Sequence, residues 1–173
     1  MTRILVTRED GSVIWNEGVN AADFETQHFR LALADRLGWA VAALTGARYT
    51  DPQRPAVCLT GDGSYMFGNP IPAHYVSKAE KLPTLTVVYN NEMWNAVRRN
   101  TRDVYPDGYA ARSNREPLTY FEPGTRYEKT IETVGGYGEQ VERPDELPAA
   151  LDRALDQVGS GRQALLNVVC GAG

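Results

Sequence analysis

An alternation along the chain constrains the fold most. Short runs rich in β-branched and apolar residues recur, each followed by a longer stretch whose apolar residues keep partly helical spacing. Five runs read as strands: Ser12–Trp15, Ala56–Thr60, Thr84–Tyr89, Gly138–Glu142 and Ala164–Cys170. Gly138–Glu142 is the weakest, and the others are nearly continuous in apolar character. Such strands suit a parallel sheet covered on both faces, since an antiparallel sheet with one wet face would alternate apolar and polar residues. The intervening segments predict the covering helices. Ala21–Thr50 carries Phe24, Phe29, Leu31, Leu33, Leu37, Val41 and Leu44 and stops at Asp51-Pro52. Pro70–Lys81 and Tyr127–Val134 are shorter, the second ending at Gly135-Gly136. Asp145–Val158 follows Pro144, places two acids at its positive end and forms one stripe from Leu147, Ala150, Leu151, Leu155 and Val158. The expected architecture is α/β: three α/β/α layers around a mainly parallel central sheet. Asn100–Thr125 is turn-rich and polar and reads as a long loop, a kind of segment that is usually functional or disordered.

The chain has 173 residues, the size of one domain, so residues 1–173 are expected to fold as a single unit. With 42% hydrophobic and 23% charged residues it has the composition of a globular protein, which argues against disorder and against membrane spanning. A net charge of −4 leaves no basic excess for a nucleic acid or an anionic membrane. Ile4-Leu5-Val6 is too short for the apolar core of a signal peptide, and a cytoplasmic location is expected. Cys58 and Cys170 have no metal-ligand or redox spacing and read as free thiols.

The most informative motif is Thr60-Gly-Asp-Gly-Ser64 at the carboxyl end of one proposed strand, with Asn90-Asn91 at the carboxyl end of the next. Ligands in open α/β sheets bind outside the carboxyl ends of strands, so an acid and an amide placed on two such tips can converge on one ligand. Gly61 and Gly63 permit a tight turn and close backbone approach. One carboxylate with amide and carbonyl oxygens is a hard-oxygen set suited to Mg²⁺, which takes its remaining ligands from phosphate and water. The pattern implies Mg²⁺-bridged diphosphate binding. Either half alone is a weak signal, because Gly-Asp-Gly also makes ordinary turns. A dinucleotide site would need G-x-G-x-x-G, and here the third glycine, Gly68, is out of place.

Gly61-Asp-Gly-Ser through Asn90-Asn91 resembles the signature of thiamine diphosphate-dependent enzymes. Leu37-Gly-Trp-Ala-Val-Ala-Ala-Leu-Thr-Gly46 and Asn90-Asn-Glu-Met-Trp-Asn-Ala-Val-Arg-Arg99 extend the likeness to acetolactate synthase-like and benzoylformate decarboxylase-like members over nearly the whole chain. The resemblance implies the thiamine diphosphate-binding fold and, within it, the pyrophosphate-binding domain. Asp62 and the Asn91 side chain would be Mg²⁺ ligands, with the Met93 carbonyl as the third. Gly61, Gly63, Ser64 and Asn91 would meet the cofactor, Gly63 and Ser64 through the diphosphate. Leu37 stands where the family has a bulky aliphatic residue that props the bent cofactor, and it also reads as a plain core leucine. Asn90 would orient the turn, and Glu92 would face solvent.

The likeness breaks in places. Phe24 to Leu37 occupies the position of a longer glycine-rich segment and contains no glycine. His28 and His74 read as surface helix residues. Arg98 and Arg99 admit two readings, a clamp on a substrate carboxylate or a solvated helix face. The family's catalytic glutamate belongs to a separate pyrimidine-binding domain, so no catalytic residue is expected in this chain. With Met1 opening a plausible domain start, the chain resembles the small subunit of a split 2-oxo acid decarboxylase or carboligase, in a hetero-oligomer of two or more of each chain with a pyrimidine-binding partner. The alternatives are a catalytically silent cofactor-binding or scaffolding paralogue, motivated by the missing glycines, and a nucleotide-binding α/β domain.

Overall fold

The computed structural model describes residues 37–170 in full and 13–17 as backbone. The readings placed on Phe24, His28, Phe29, Leu31 and Leu33 lie outside the described residues. Five strands form one sheet: β1 (Val13–Glu17), β2 (Ala56–Gly61), β3 (Leu85–Asn90), β4 (Tyr137–Val141) and β5 (Ala164–Val169). Their spatial order is β1-β2-β3-β5-β4, and all four pairings are parallel. The expected parallel α/β sheet is thus present, each strand shifted from its predicted bounds by only a few residues.

The helices are α1 (Ala40–Thr50), α2 (Asp62–Phe67), α3 (Ile71–Ala79), α4 (Asn95–Val104), α5 (Tyr109–Ser113), α6 (Glu128–Glu132) and α7 (Leu147–Gly159). Partners in a parallel register point to the same face, so Cys58, Thr86 and Leu165 share one side and Val57, Leu85 and Ala164 the other. On the first side Cys58, Val88 and Leu165 pack with Val41 and Leu44 of α1, Tyr65 of α2 and Ile131 of α6. On the second, Leu85, Val87 and Leu166 pack with Ala150, Ala154 and Val158 of α7. Two cores on opposite faces give the three layers. Leu44, Ile131, Leu165 and Leu166 are wholly buried, and truncating such a side chain to alanine typically costs about 2–5 kcal/mol.

Three expectations are corrected here. The α7 stripe runs through Ala150, Ala154 and Val158, and Leu155 is 44% exposed, because the small alanines let the helix sit close to the sheet. Residues 100–125 are not one loop: α4 runs on to Val104 and α5 follows. His74 is not a surface residue, being 1% exposed, with its Nε2 3.0 Å from the Tyr65 hydroxyl. That hydroxyl also meets Thr130 Oγ1 at 2.5 Å. Burial drives the His74 ring down to a pKa of about 4, so it is neutral at physiological pH.

Candidate metal and cofactor site

The carboxyl ends of β2 and β3 are neighbours, with Gly61 paired to Tyr89, so the turns that leave them start side by side. The β2 turn enters α2 through Asp62, which is 3% exposed. Asp62 Oδ1 accepts the Gly63 amide at 2.8 Å, while Oδ2 is buried with no hydrogen-bond partner. Burial pushes the Asp62 carboxyl above the usual range, and the backbone amides of Gly63, Glu92, Met93 and Asn91 pull it partly back. Three of those four amides belong to the β3 turn. The Asp62 carboxylate thus faces the backbone of the turn that leaves β3.

The β3 turn is held from within and from behind. Asn90 Oδ1 accepts the Glu92 amide at 3.2 Å, and Asn91 Oδ1 accepts the Met93 amide at 3.3 Å. Asn90 thus orients the turn, as expected. Glu92 sits in the left-handed region at φ +58°. It is half-buried, and its carboxylate accepts the Gly124 amide at 2.9 Å, so it braces the turn instead of facing solvent. Met93 forms an antiparallel bridge with Tyr120, whose two bonds run from the Trp94 amide to the Thr119 carbonyl (2.7 Å) and from the Phe121 amide to the Glu92 carbonyl (2.8 Å). Met93 and Tyr120 thus form a non-hydrogen-bonded pair, which leaves the Met93 carbonyl outside the ladder. The brace is anchored by Glu116, only 2% exposed, which pairs with both Arg98 (2.9 Å) and Arg102. Arg98 also donates to Asn114 at 3.1 Å and lies over the Tyr120 ring, so its guanidinium is committed inside the chain.

Each expected site residue has a definite place. Asp62, Asn91 and Met93 offer a carboxylate oxygen, an amide oxygen and a carbonyl, a donor set that fits a small hard cation. Among the described residues no group of three or more His, Cys, Asp or Glu could hold a metal. A Cβ on Gly61 would meet nothing within 4 Å, so the space over this turn is open to a ligand. A Cβ on Gly63 would lie 2.8 Å from the Trp94 ring, so its glycine is needed by the indole. Ser64 is buried beside them. Leu37 is 39% exposed in a turn whose Gly38 (φ +83°) touches Gly68, where a Cβ would come 2.3 Å from the Gly38 carbonyl. The glycine that fits no dinucleotide motif thus serves a close backbone approach, and joins the Leu37 turn to the end of α2.

Sequence reasoning missed Glu116, Thr119, Thr125, Tyr127 and Glu128, all within or just after the expected loop. Asn90 and Asn167 both donate to the Thr125 carbonyl, at 3.5 and 3.2 Å, and Asn167 also donates to Glu128 at 2.9 Å. No periodicity marks these partners, whose bonds span 35 to 42 positions.

Residues 18–168 match the thiamine pyrophosphate enzyme C-terminal TPP-binding domain. The chain belongs to that family. It is 32% identical over 136 residues to a probable acetolactate synthase of Mycobacterium bovis, covering 76% of this chain and 21% of the relative. It is 25% identical over 134 residues to a sulfoacetaldehyde acetyltransferase of Alcaligenes xylosoxydans, covering 77% and 21%. A thiamine diphosphate-dependent 4-hydroxybenzoylformate decarboxylase of Rhodococcus jostii shares the fold, with a TM-score of 0.64 at 23% identity over 79% of this TPP-domain chain and 24% of that one. The TPP-domain chain spans about a fifth of the length of these curated relatives. No described helix is long and apolar enough to cross a membrane.

Proposed function

We propose that this chain is the Mg²⁺- and diphosphate-binding half of a thiamine diphosphate-dependent enzyme acting on a small 2-oxo acid, as a decarboxylase or an acetolactate synthase-like carboligase. The observation that carries the reading is the unpartnered Asp62 Oδ2, buried against the Asn91–Met93 turn. The Glu92 and Met93 amides that face Asp62 are bonded to Asn90 Oδ1 and Asn91 Oδ1 and leave Oδ2 without a donor in hydrogen-bond geometry, and a cation there would offset the cost of burying it. Asp62, Asn91 and the Met93 carbonyl would hold the metal. Gly61 would let the diphosphate approach, Gly63 and Ser64 would line it, and Leu37 would support the rest of the cofactor. When bound, thiamine diphosphate supplies the nucleophilic carbon and electron sink for making or breaking the bond beside a carbonyl.

The pyrimidine side and its catalytic glutamate would come from a partner chain in a cytoplasmic hetero-oligomer. Calorimetric titration with thiamine diphosphate, with and without Mg²⁺, tests the reading. Uptake should require Mg²⁺, and Asp62→Ala should abolish it. Mg²⁺-independent uptake, or full uptake by Asp62→Ala, overturns the assignment. Absence of 2-oxo acid turnover by the reconstituted pair, with uptake intact, would leave a silent paralogue.

A further inference from the structure

A cleft of about 210 Å³ opens between the end of α3, the turn from α6 to β4 and the turn from α7 to β5. Among the described residues its lining includes Lys78, Lys81 and Arg162 and no carboxylate, in a chain whose net charge is −4. Leu85, Ala164 and Tyr137, which open β3, β5 and β4, are paired in register, so the cleft sits at the amino ends of these strands. Asp62 and Asn91 lie at the carboxyl ends, and the six residues of β3 put roughly 16 Å between the two.

Two of the cations meet over one glycine. A Cβ on Gly135, which sits in the left-handed region at φ +82°, would come 3.5 Å from Lys78 Nζ, and Arg162 Nε donates to the Gly135 carbonyl at 3.0 Å. Neutral acceptors alone fix Arg162 there: Nη2 donates to the Gly136 carbonyl at 2.8 Å and Nη1 to Gln157 Oε1 at 3.2 Å. Two of its five N–H groups are left over. Among the described residues none of the three cations forms an ion pair. Glu132 at the end of α6 is engaged by Lys129 at 2.8 Å, and Glu80, between the two lysines in sequence, is not part of the lining.

Helix ends offset some of this charge. Helices α3, α6 and α7 all finish at the cleft, and each carboxyl end carries about half a negative charge. Three such ends cancel at most about half of three full positive charges, so the cleft stays positive. Like charges gathered in this way repel, and an anion between them would remove the repulsion.

We propose that this cleft binds a small soluble molecule bearing a phosphoryl group, at the opposite end of the sheet from Asp62. Such a group brings about two negative charges and three strong acceptor oxygens on one centre. The lysine ammonium groups and the spare Arg162 donors can meet them together. The volume falls below the roughly 300–1,000 Å³ of sites for drug-sized ligands and suits a phosphate or a small phosphomonoester.

The test titrates the full chain calorimetrically, without Mg²⁺ and at fixed ionic strength, with inorganic phosphate, glycerol 3-phosphate and the dicarboxylate succinate. Both phosphoryl probes should bind saturably with a Kd on the order of 1 mM or tighter, the tighter one naming the source, and succinate should bind more weakly than either. Lys78→Gln and Lys81→Gln should each weaken phosphate binding about tenfold. Arg112→Gln removes the same charge from the exposed end of α5 and should change nothing. No saturable binding by the unaltered chain, succinate bound as tightly, unchanged binding by the lysine variants, or equal weakening by Arg112→Gln would each overturn the proposal. Asp62→Ala should bind phosphate as the unaltered chain does, and loss of binding there would place the probe at the β2 turn and overturn the proposal too. Failure at this cleft leaves the cofactor reading standing, since the two sites share no residue.

Discussion

The indole of Trp94 lies directly on the backbone of Gly63, leaving no room for a side chain there: a Cβ would come 2.8 Å from Cε3 and 3.1 Å from Cζ3. This contact locks the β2 turn to the β3 turn. The ring cannot easily retreat, being edge-on to Phe67 at 6.4 Å and Phe121 at 5.2 Å.

Gly63→Ala should therefore destabilise the chain, by about 1–3 kcal/mol for an overpacked site, although alanine is otherwise the better helix residue. Gly61→Ala makes the contrast: its Cβ meets nothing and its φ is −77°, so the change in stability should stay within about 1 kcal/mol. Both should weaken cofactor uptake, Gly63→Ala by displacing the turn and Gly61→Ala by filling open space. Denaturant melts and calorimetry of the two variants separate these effects.

His74 should make stability depend on pH. Its ring titrates at about 4 in the folded chain against an ordinary 6.5. Between those values the unfolded chain binds a proton that the folded one refuses. The full contribution is present above 6.5 and is lost as pH falls toward 4, by about 3 kcal/mol. His74→Gln should be less stable at pH 7 yet lose less between pH 7 and 5 in denaturant titrations. Parallel losses in both proteins would show that His74 is not the source.

Glu116 is also shifted downward, by its ion-pair partners instead of by burial. The Arg102 and Arg98 guanidiniums hold its carboxyl below the ordinary 4.5. A depressed carboxyl stabilises above its unfolded value and stops doing so as pH falls through the folded one, so the brace should loosen below about pH 4.5. Amide exchange at Trp94 and Phe121, which bond across the bridge, should quicken in that range. In Glu116→Gln it should be fast already at pH 7 and lack the acid-dependent step.

Much of this site is legible in the amino-acid order. Asp62 and Asn91 are found from two strand tips because a strand's carboxyl end is a local property, and parallel neighbours bring those ends together. The residues that make the site rigid are not found in this way. Glu116 is an ordinary acid in a polar stretch until Arg98 and Arg102 arrive from α4, and His74 looks like a surface residue until Tyr65 covers it. Leu155 fits the helical period as well as Ala154 does, and only the closeness of α7 to the sheet selects the smaller side chain.

The sequence by itself determined the alternation of strands and helices, the parallel sheet and the pairing of Gly61-Asp62-Gly63 with Asn90-Asn91, because apolar period and turn chemistry act over a few residues. Tertiary structure alone decided that Glu92 braces its turn, that Trp94 claims the space over Gly63, and that Tyr127 and Asp62 are left with unused oxygens. Burial and hydrogen-bond satisfaction depend on which distant segments pack together, and no local pattern records that.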